Sequence, residues 1–199
     1  MKLPTFILVL FAFPIFAQSV QDTAFVEVSD GFVLDMKYAT PDNFLKSAVY
    51  DCGKCFLRKA AADALLKANA DFQKLGLRIK IFDCYRPMEV QKKMWALVPN
   101  PIYVADPAKG SIHNRGAAVD ITIVDSMGKD LDMGTGFDHF GPESAHGYKK
   151  LPGNVKMSRK LLRSIMEQNG FRTFESEWWH YNLDGAAKLP LANKGWNCN

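Results

Sequence analysis

The chain has 199 residues, 48% of them apolar, and 25 basic against 21 acidic side chains give a formal charge of +4. That length and composition suit one domain with a sizeable core rather than two. So mild a basicity, with neither clustered Lys/Arg nor a basic helix face expected from the sequence, argues against a nucleic-acid binder.

The first residues, MKLPTFILVLFAFPIFAQS, place one lysine before an uncharged apolar run that ends at Ala17. This is the outline of a secretory signal peptide. The run is about 15 residues and carries Pro4 and Pro14, so it is short of the ~20 residues that cross a bilayer. We expect cleavage near Ala17, with residues 1–17 as leader and 18–199 as the folded domain, and no transmembrane helix after cleavage. No repeat or low-complexity tract follows.

Cys52, Cys55, Cys84 and Cys198 then fall in a chain expected to leave the reducing cytosol, so disulfides are permitted and three complete pairings are open. The Cys52-Gly-Lys-Cys55 spacing also allows a redox pair or half a zinc knuckle. No second CxxC follows and no thioredoxin-like pattern surrounds it, which favours structural disulfides. From Arg58 to Leu75, Ala61, Ala64, Leu65, Ala68 and Phe72 recur at helical spacing and stop at Gly76, a natural helix terminator. LRIKIFDCY (77–85) alternates as a half-buried strand. Pro87 opens a second helix over PMEVQKKMWALV, holding Arg86 at the strand-to-helix junction.

After a loop over 99–110 comes SIHNRGAAVD (111–120), running into GAAVDITIV. As a strand, Ala117, Val119, Ile121 and Ile123 point to a core, while Ala118, Asp120 and Thr122 form a small polar face. His113 and Asp120 are an odd number of residues apart and would sit on opposite faces of a straight strand. They converge only if the chain turns at Gly116. A third helix, roughly Ser158 to Gln168, stops at Asn169-Gly170, and EWWHYNL follows with the aromatic content of a strand. The fold class is α+β: a single domain in which helices pack on an antiparallel sheet.

Each polar residue in these strands has an ordinary explanation. His113 alone reads as a surface histidine, His180 as a hydrogen-bonded core imidazole, Glu177 as a solvated strand start, and Arg86 as the ion-pair partner of Asp83. Asp120 is harder to place, because a carboxylate in mid-strand is costly unless something satisfies it. As a set they have a chemical logic. Two imidazoles and one carboxylate, with a fourth position open to water, describe a catalytic zinc site, although the same ligands also describe a non-haem iron triad. A further glutamate as proton acceptor and an arginine for a developing oxyanion favour hydrolysis.

These segments resemble a known family. S-I-H-N-R-G-A-A-V-D matches the SxHxxGxAxD signature, and E-W-W-H the ExxH element, of the zinc D-alanyl-D-alanine dipeptidases, the VanX-type group of the LAS metallopeptidases. KYATPDNF (37–44), DCYRP (83–87), MGTGFD (133–138) and RSIMEQNGF (163–171) look like further segments of that family in the same order. The resemblance implies one Zn2+ on His113, Asp120 and His180, Glu177 as catalytic base and Arg86 as transition-state stabiliser. It also implies Tyr38 and Asp138 near the substrate ammonium and Ser111 near its carboxylate. A zwitterionic dipeptide needs an acceptor at one end and donors at the other. Asp138 read without the family is an ordinary loop aspartate, and His139 and His146 match no ligand position.

The cysteines suggest an oxidised, exported branch of the family, in which a disulfide reaching Cys84 would rigidify the strand that carries Arg86. The expected activity is cleavage of free D-Ala-D-Ala in the periplasm, in cell-wall peptide turnover. The alternatives are a D,D- or L,D-carboxypeptidase acting on peptidoglycan stems and a zinc-binding module without catalysis. The expected partner is the small-molecule dipeptide, with no nucleic acid and no obligate protein partner.

Overall fold

The computed structural model describes residues 24–198, so the leader expected over 1–17 lies outside the described residues. In chain order the elements are β1 (Phe25–Val28), β2 (Val33–Leu34), β3 (Cys55–Arg58), α1 (Lys59–Gln73), β4 (Arg78–Asp83), α2 (Met88–Leu97), β5 (Ala118–Val124), α3 (Gly153–Gln168), β6 (Phe171–Phe174) and β7 (Glu177–Leu183). Short 3-10 turns over Lys37–Ala39 and His113–Arg115 interrupt the loops.

Five strands form the main sheet in the order β2-β4-β5-β7-β6, and β1 pairs with β3 in a separate ribbon. The pairings in the main sheet are antiparallel except at one edge, where the two-residue strand β2 runs parallel to β4. The expected antiparallel sheet is corrected to that extent. Two residues between turn-forming segments leave no periodicity from which a strand or its direction can be read.

Alternation decides what each face of the sheet does. Ile79 and Ile81 of β4 lie opposite Ile123 and Ile121 of β5, and Val119 lies opposite Tyr181 of β7. These residues are all fully buried in the main core, together with Leu65 and Phe72 of α1 and Leu162 and Met166 of α3. On α1 the buried stripe takes Ala62 and leaves Ala64 half-buried. The third helix starts earlier than expected, at Gly153 directly after Pro152, because Val155 is itself buried and continues the apolar stripe one turn back.

The opposite face of β5, expected to be merely small and polar, is closed as well, since all seven residues of the strand are buried. A group of aromatic rings from the loops and the neighbouring strands covers this side. Phe137 packs against Phe82, Trp179 and Tyr38. Asp120 therefore sits inside the molecule, where a carboxylate must have partners.

The two disulfides join Cys55 to Cys84 and Cys52 to Cys198. The CxxC cysteines thus belong to different bridges, which removes the redox-pair and zinc-knuckle readings. A second expectation is also corrected. Lys156, Arg159, Lys160 and Arg163 fall at i, i+3, i+4 and i+7 of α3 and share one helix face. The net charge concealed this local cluster because acidic residues elsewhere balance it.

Candidate active site

Three departures from regular geometry bring the polar residues together. His113 begins a 3-10 turn that ends at Gly116, whose φ of 69° lies in the left-handed region. That turn lets His113 and Asp120 meet despite their odd separation. In β7, Glu177 and His180 are also an odd number apart, yet both line the same cavity. Here the pairing with β6 slips: Thr173 lies opposite Tyr181 while Phe174 lies opposite Glu177, so β7 carries extra residues in between. At the end of β4 a further slip sets Asp83 opposite Asp120.

The ligand atoms offered by His113, Asp120 and His180 all lie within 4.8 Å of one another. His180 Nδ1 is 2.9 Å and His113 Nε2 is 3.3 Å from Asp120 Oδ1, and the two nitrogens are 3.2 Å apart. Each ring turns its other nitrogen outward. His113 Nδ1 is 2.6 Å from the Cys84 carbonyl, which can only accept, and His180 Nε2 is 2.9 Å from Asn182 Oδ1. Both N–H groups are thereby used, and two imidazole lone pairs face each other across a carboxylate oxygen. Three acceptors in contact with no proton to share suit a cation, and their spacing approaches the ~3.3 Å edge of a tetrahedron with bonds of ~2.0–2.1 Å. The outward hydrogen bonds are the usual means of orienting ligand histidines.

Arg86 is 8% exposed. Its Nε and Nη2 donate to Asp83 Oδ2 at 3.0 and 2.6 Å, and Nη1 donates to Gln91 Oε1 at 3.1 Å. The ion pair with Asp83 is thus real, and it coexists with a place in the cavity, 3.8 Å from Asp120 Oδ2 and over the Tyr38 ring. Burial works against the charge, but Asp83 together with Tyr38, Tyr50 and Asp120 carries the guanidinium pKa well above its ordinary value. Asp83 in turn accepts from Tyr50 Oη at 2.6 Å and from the Cys84 N–H at 2.9 Å.

Glu177 lies 4.0 Å from His180 Nδ1. Burial raises its pKa to about 7, and Asp120 and Asp138 push the same way against His180 and Arg86. Asp138 holds a left-handed φ of 57° and accepts from Tyr38 Oη at 2.9 Å. Its pKa rises to about 8 through burial and the charge of Asp120, with the Tyr38 hydrogen bond opposing. Ser111 lies on the same cavity wall, its Oγ accepting from the His113 N–H at 3.1 Å. All eight residues singled out in the sequence line this one cavity of about 290 Å³, which is near the lower end for small-molecule sites. His139 is exposed and bonds Glu143, and His146 lies on another cavity.

Sequence reasoning missed the supporting residues. Gln91, Tyr50, Asn182 and Asn114, which donates to the Arg86 carbonyl at 2.8 Å, were not singled out. Only the position of Asn182, two residues after His180 and so on the same strand face, carried a usable signal.

A family model described as D-ala-D-ala dipeptidase, Peptidase_M15, matches residues 19–197. The chain belongs to this metallopeptidase family. A D-alanyl-D-alanine dipeptidase of Escherichia coli (strain K12) is 40% identical over 165 residues, covering 83% of this chain and 86% of the relative. One of Enterococcus faecalis is 32% identical over 178 residues, covering 79% and 88%. Among solved structures, an LdcB LD-carboxypeptidase shares 24% identity at a TM-score of 0.42, over 67% of this chain and 62% of that one. Family membership makes the chain a metal-dependent dipeptidase with a small-molecule substrate. The triad of His113, Asp120 and His180 fits that metal dependence.

Proposed function

We propose that the chain hydrolyses free D-Ala-D-Ala, using a zinc ion held by His113, Asp120 and His180. One observation carries this reading: two imidazole lone pairs and a carboxylate oxygen converge beside Glu177 and Arg86 in a single small cavity. When bound, zinc supplies a Lewis acid that acidifies water and polarises the scissile carbonyl.

The protein's own side chains do the rest. Glu177 accepts the proton of the attacking water and returns it to the leaving amine. Arg86, held rigid by Asp83 and Gln91, places positive charge where the carbonyl oxygen becomes anionic. Asp138 and Tyr38 receive the substrate ammonium, and that cation stabilises a carboxylate whose surroundings otherwise oppose ionisation. Ser111 sits toward the carboxylate end. The small volume of the cavity favours a dipeptide over a stem peptide.

The apolar leader and two disulfides support export to an oxidising compartment, the periplasm, with residues 18–199 as the mature domain. A role in cell-wall peptide turnover follows from that placement.

The test is a pair of variants assayed on free D-Ala-D-Ala and on a stem pentapeptide, with bound zinc measured by elemental analysis. Glu177→Ala is expected to keep zinc and lose turnover by about 10³-fold, whereas His180→Ala loses both. Wild-type turnover in Glu177→Ala removes the base assignment. Rapid loss of the pentapeptide with the dipeptide untouched replaces the dipeptidase reading with a carboxypeptidase.

A further inference from the structure

Behind β7, on the face away from the metal ligands, a second cavity of about 380 Å³ opens between α3 and the segment 146–151. Its lining includes Lys149, Lys156, Arg159, Lys160 and Arg163 and contains no carboxylate. Arg163 is paired, to Glu167 at 2.9 Å and more distantly to Glu175 at 3.8 Å. Among the described residues Lys149, Lys156 and Lys160 have no ion pair. Arg159 is 4% exposed and spends its guanidinium on the carbonyls of Met133, Glu143, Ser144 and Ala145, none of which neutralises its charge.

Among the described residues, two buried polar atoms have no hydrogen-bond partner. They are Nε2 of His146, a residue that lines this cavity, and Oη of Tyr181, which lies outside the lining but whose ring packs edge-on to His146. Tyr181 itself is fully buried. A buried polar atom left unpaired costs about 1–3 kcal/mol, so such atoms point to something that completes them. Like charges at i, i+4 repel, and Lys156, close to the start of α3, opposes the helix dipole. The first turn of α3 has no acidic residue to compensate. The cation repulsion and the unpaired ring nitrogen of His146 are relieved together if the cavity takes up a compact multiple negative charge.

We propose that this cavity is a second binding site, for a phosphate group, free or carried as a monoester. Lys149, Lys156 and Lys160 supply mobile ammonium donors at its mouth, buried Arg159 supplies fixed positive charge, and Arg163, shared with Glu167 and Glu175, completes the wall. Neutral His146 presents a ring nitrogen, which donates in the Nε2–H tautomer. The volume exceeds that of a bare phosphate and leaves room for an ester substituent. Phosphate suits the site better than a single carboxylate because only a multiply charged oxyanion balances so many cations at once. The proposal is independent of the dipeptidase chemistry, since no residue of the metal cavity takes part.

The test uses the full metal-loaded protein and its Lys156→Ala/Lys160→Ala variant, both substitutions being of exposed side chains. Inorganic phosphate and glycerol 3-phosphate are titrated by calorimetry against chloride at matched ionic strength, and D-Ala-D-Ala hydrolysis is followed in parallel. Expected are saturable binding of at least one anion, affinity at least tenfold weaker in the double variant, unchanged hydrolysis by that variant, and a shift of the His146 ring resonances on binding. Tighter binding of the ester identifies a pendant phosphate, and equal binding identifies the free oxyanion. Binding no stronger than chloride overturns the site. So does equal binding to both proteins with unmoved His146 signals, which places the anion elsewhere on the molecule.

Discussion

Arg86 at the end of β4 and Arg159 on α3 are 8% and 4% exposed, and each guanidinium is held by several hydrogen bonds. Their partners differ. Arg86 rests on the Asp83 carboxylate and keeps its pKa well above the ordinary value, whereas Arg159 meets backbone carbonyls and is pulled down to about 10 by burial, with Tyr181 and Asp132 opposing. Satisfying hydrogen bonds and neutralising charge are thus separate requirements, and this molecule meets both at one arginine and one at the other. At Arg86 the carboxylate fixes a cation that still faces a cavity. At Arg159 the carbonyls staple the 133–145 loop, which carries Asp138, onto α3.

The largest effect expected from breaking this contrast is at Arg86. Arg86→Ala lowers kcat/KM on D-Ala-D-Ala by about 10²–10³-fold and destabilises the fold by roughly 3 kcal/mol, because Asp83 is left buried without its cation. Arg86→Lys recovers little of the rate, since an ammonium cannot serve Asp83 and Gln91 with the same planar fork. Steady-state kinetics and urea melts measure the two parts.

Next is the bridge that anchors the Arg86 strand. Replacing Cys55 and Cys84 by alanine opens a link spanning 29 residues and is expected to cost about 3–4 kcal/mol in a denaturant titration. Activity falls with it, because the Cys84 carbonyl orients His113. A double variant that keeps full kcat at low temperature shows that the carbonyl holds its place without the bridge.

Arg159→Met strips hydrogen bonds from four carbonyls and is expected to cost roughly 2–3 kcal/mol in a urea melt. The kcat of the folded fraction falls far less than in Arg86→Ala. Equal losses of kcat in the two variants would erase the distinction between the arginines.

The smallest effect belongs to His146, where burial, reinforced by Arg163 and Arg159, lowers the pKa from 6.5 to about 4. The unfolded chain binds this proton more readily than the folded one, so stability is retained above pH 6.5 and lost as pH falls toward 4. After allowance for solvent screening the loss is about 1 kcal/mol. In phosphate-free buffer His146→Gln is expected to flatten the acid side of the Tm profile by that amount, and an unchanged profile rules out this source.

What could be read in advance divides along the line between local and long-range causes. The helices and main strands follow from apolar spacing and from Gly76, Pro87 and Asn169-Gly170, all local signals. Gly116 was legible as a required turn because His113 and Asp120 fail the parity of a straight strand. The same parity problem affects Glu177 and His180, but no glycine marks the irregularity in β7, which exists only against its partner β6. Gln91 and Tyr50 acquire their roles by meeting Arg86 and Asp83 across the fold. The basic face of α3 was hidden by an overall count in which distant carboxylates cancel it.

Strand β5 has a neighbour on each side and is buried on both faces. Its backbone amides cannot reach solvent through fraying or loop motion, so their hydrogen exchange reports opening of the whole domain. Asp120 shares that protection, while His113 sits on a short turn outside the strand. Heat inactivation that precedes exchange in β5 therefore originates in site residues outside that strand, and inactivation that coincides with it marks global unfolding.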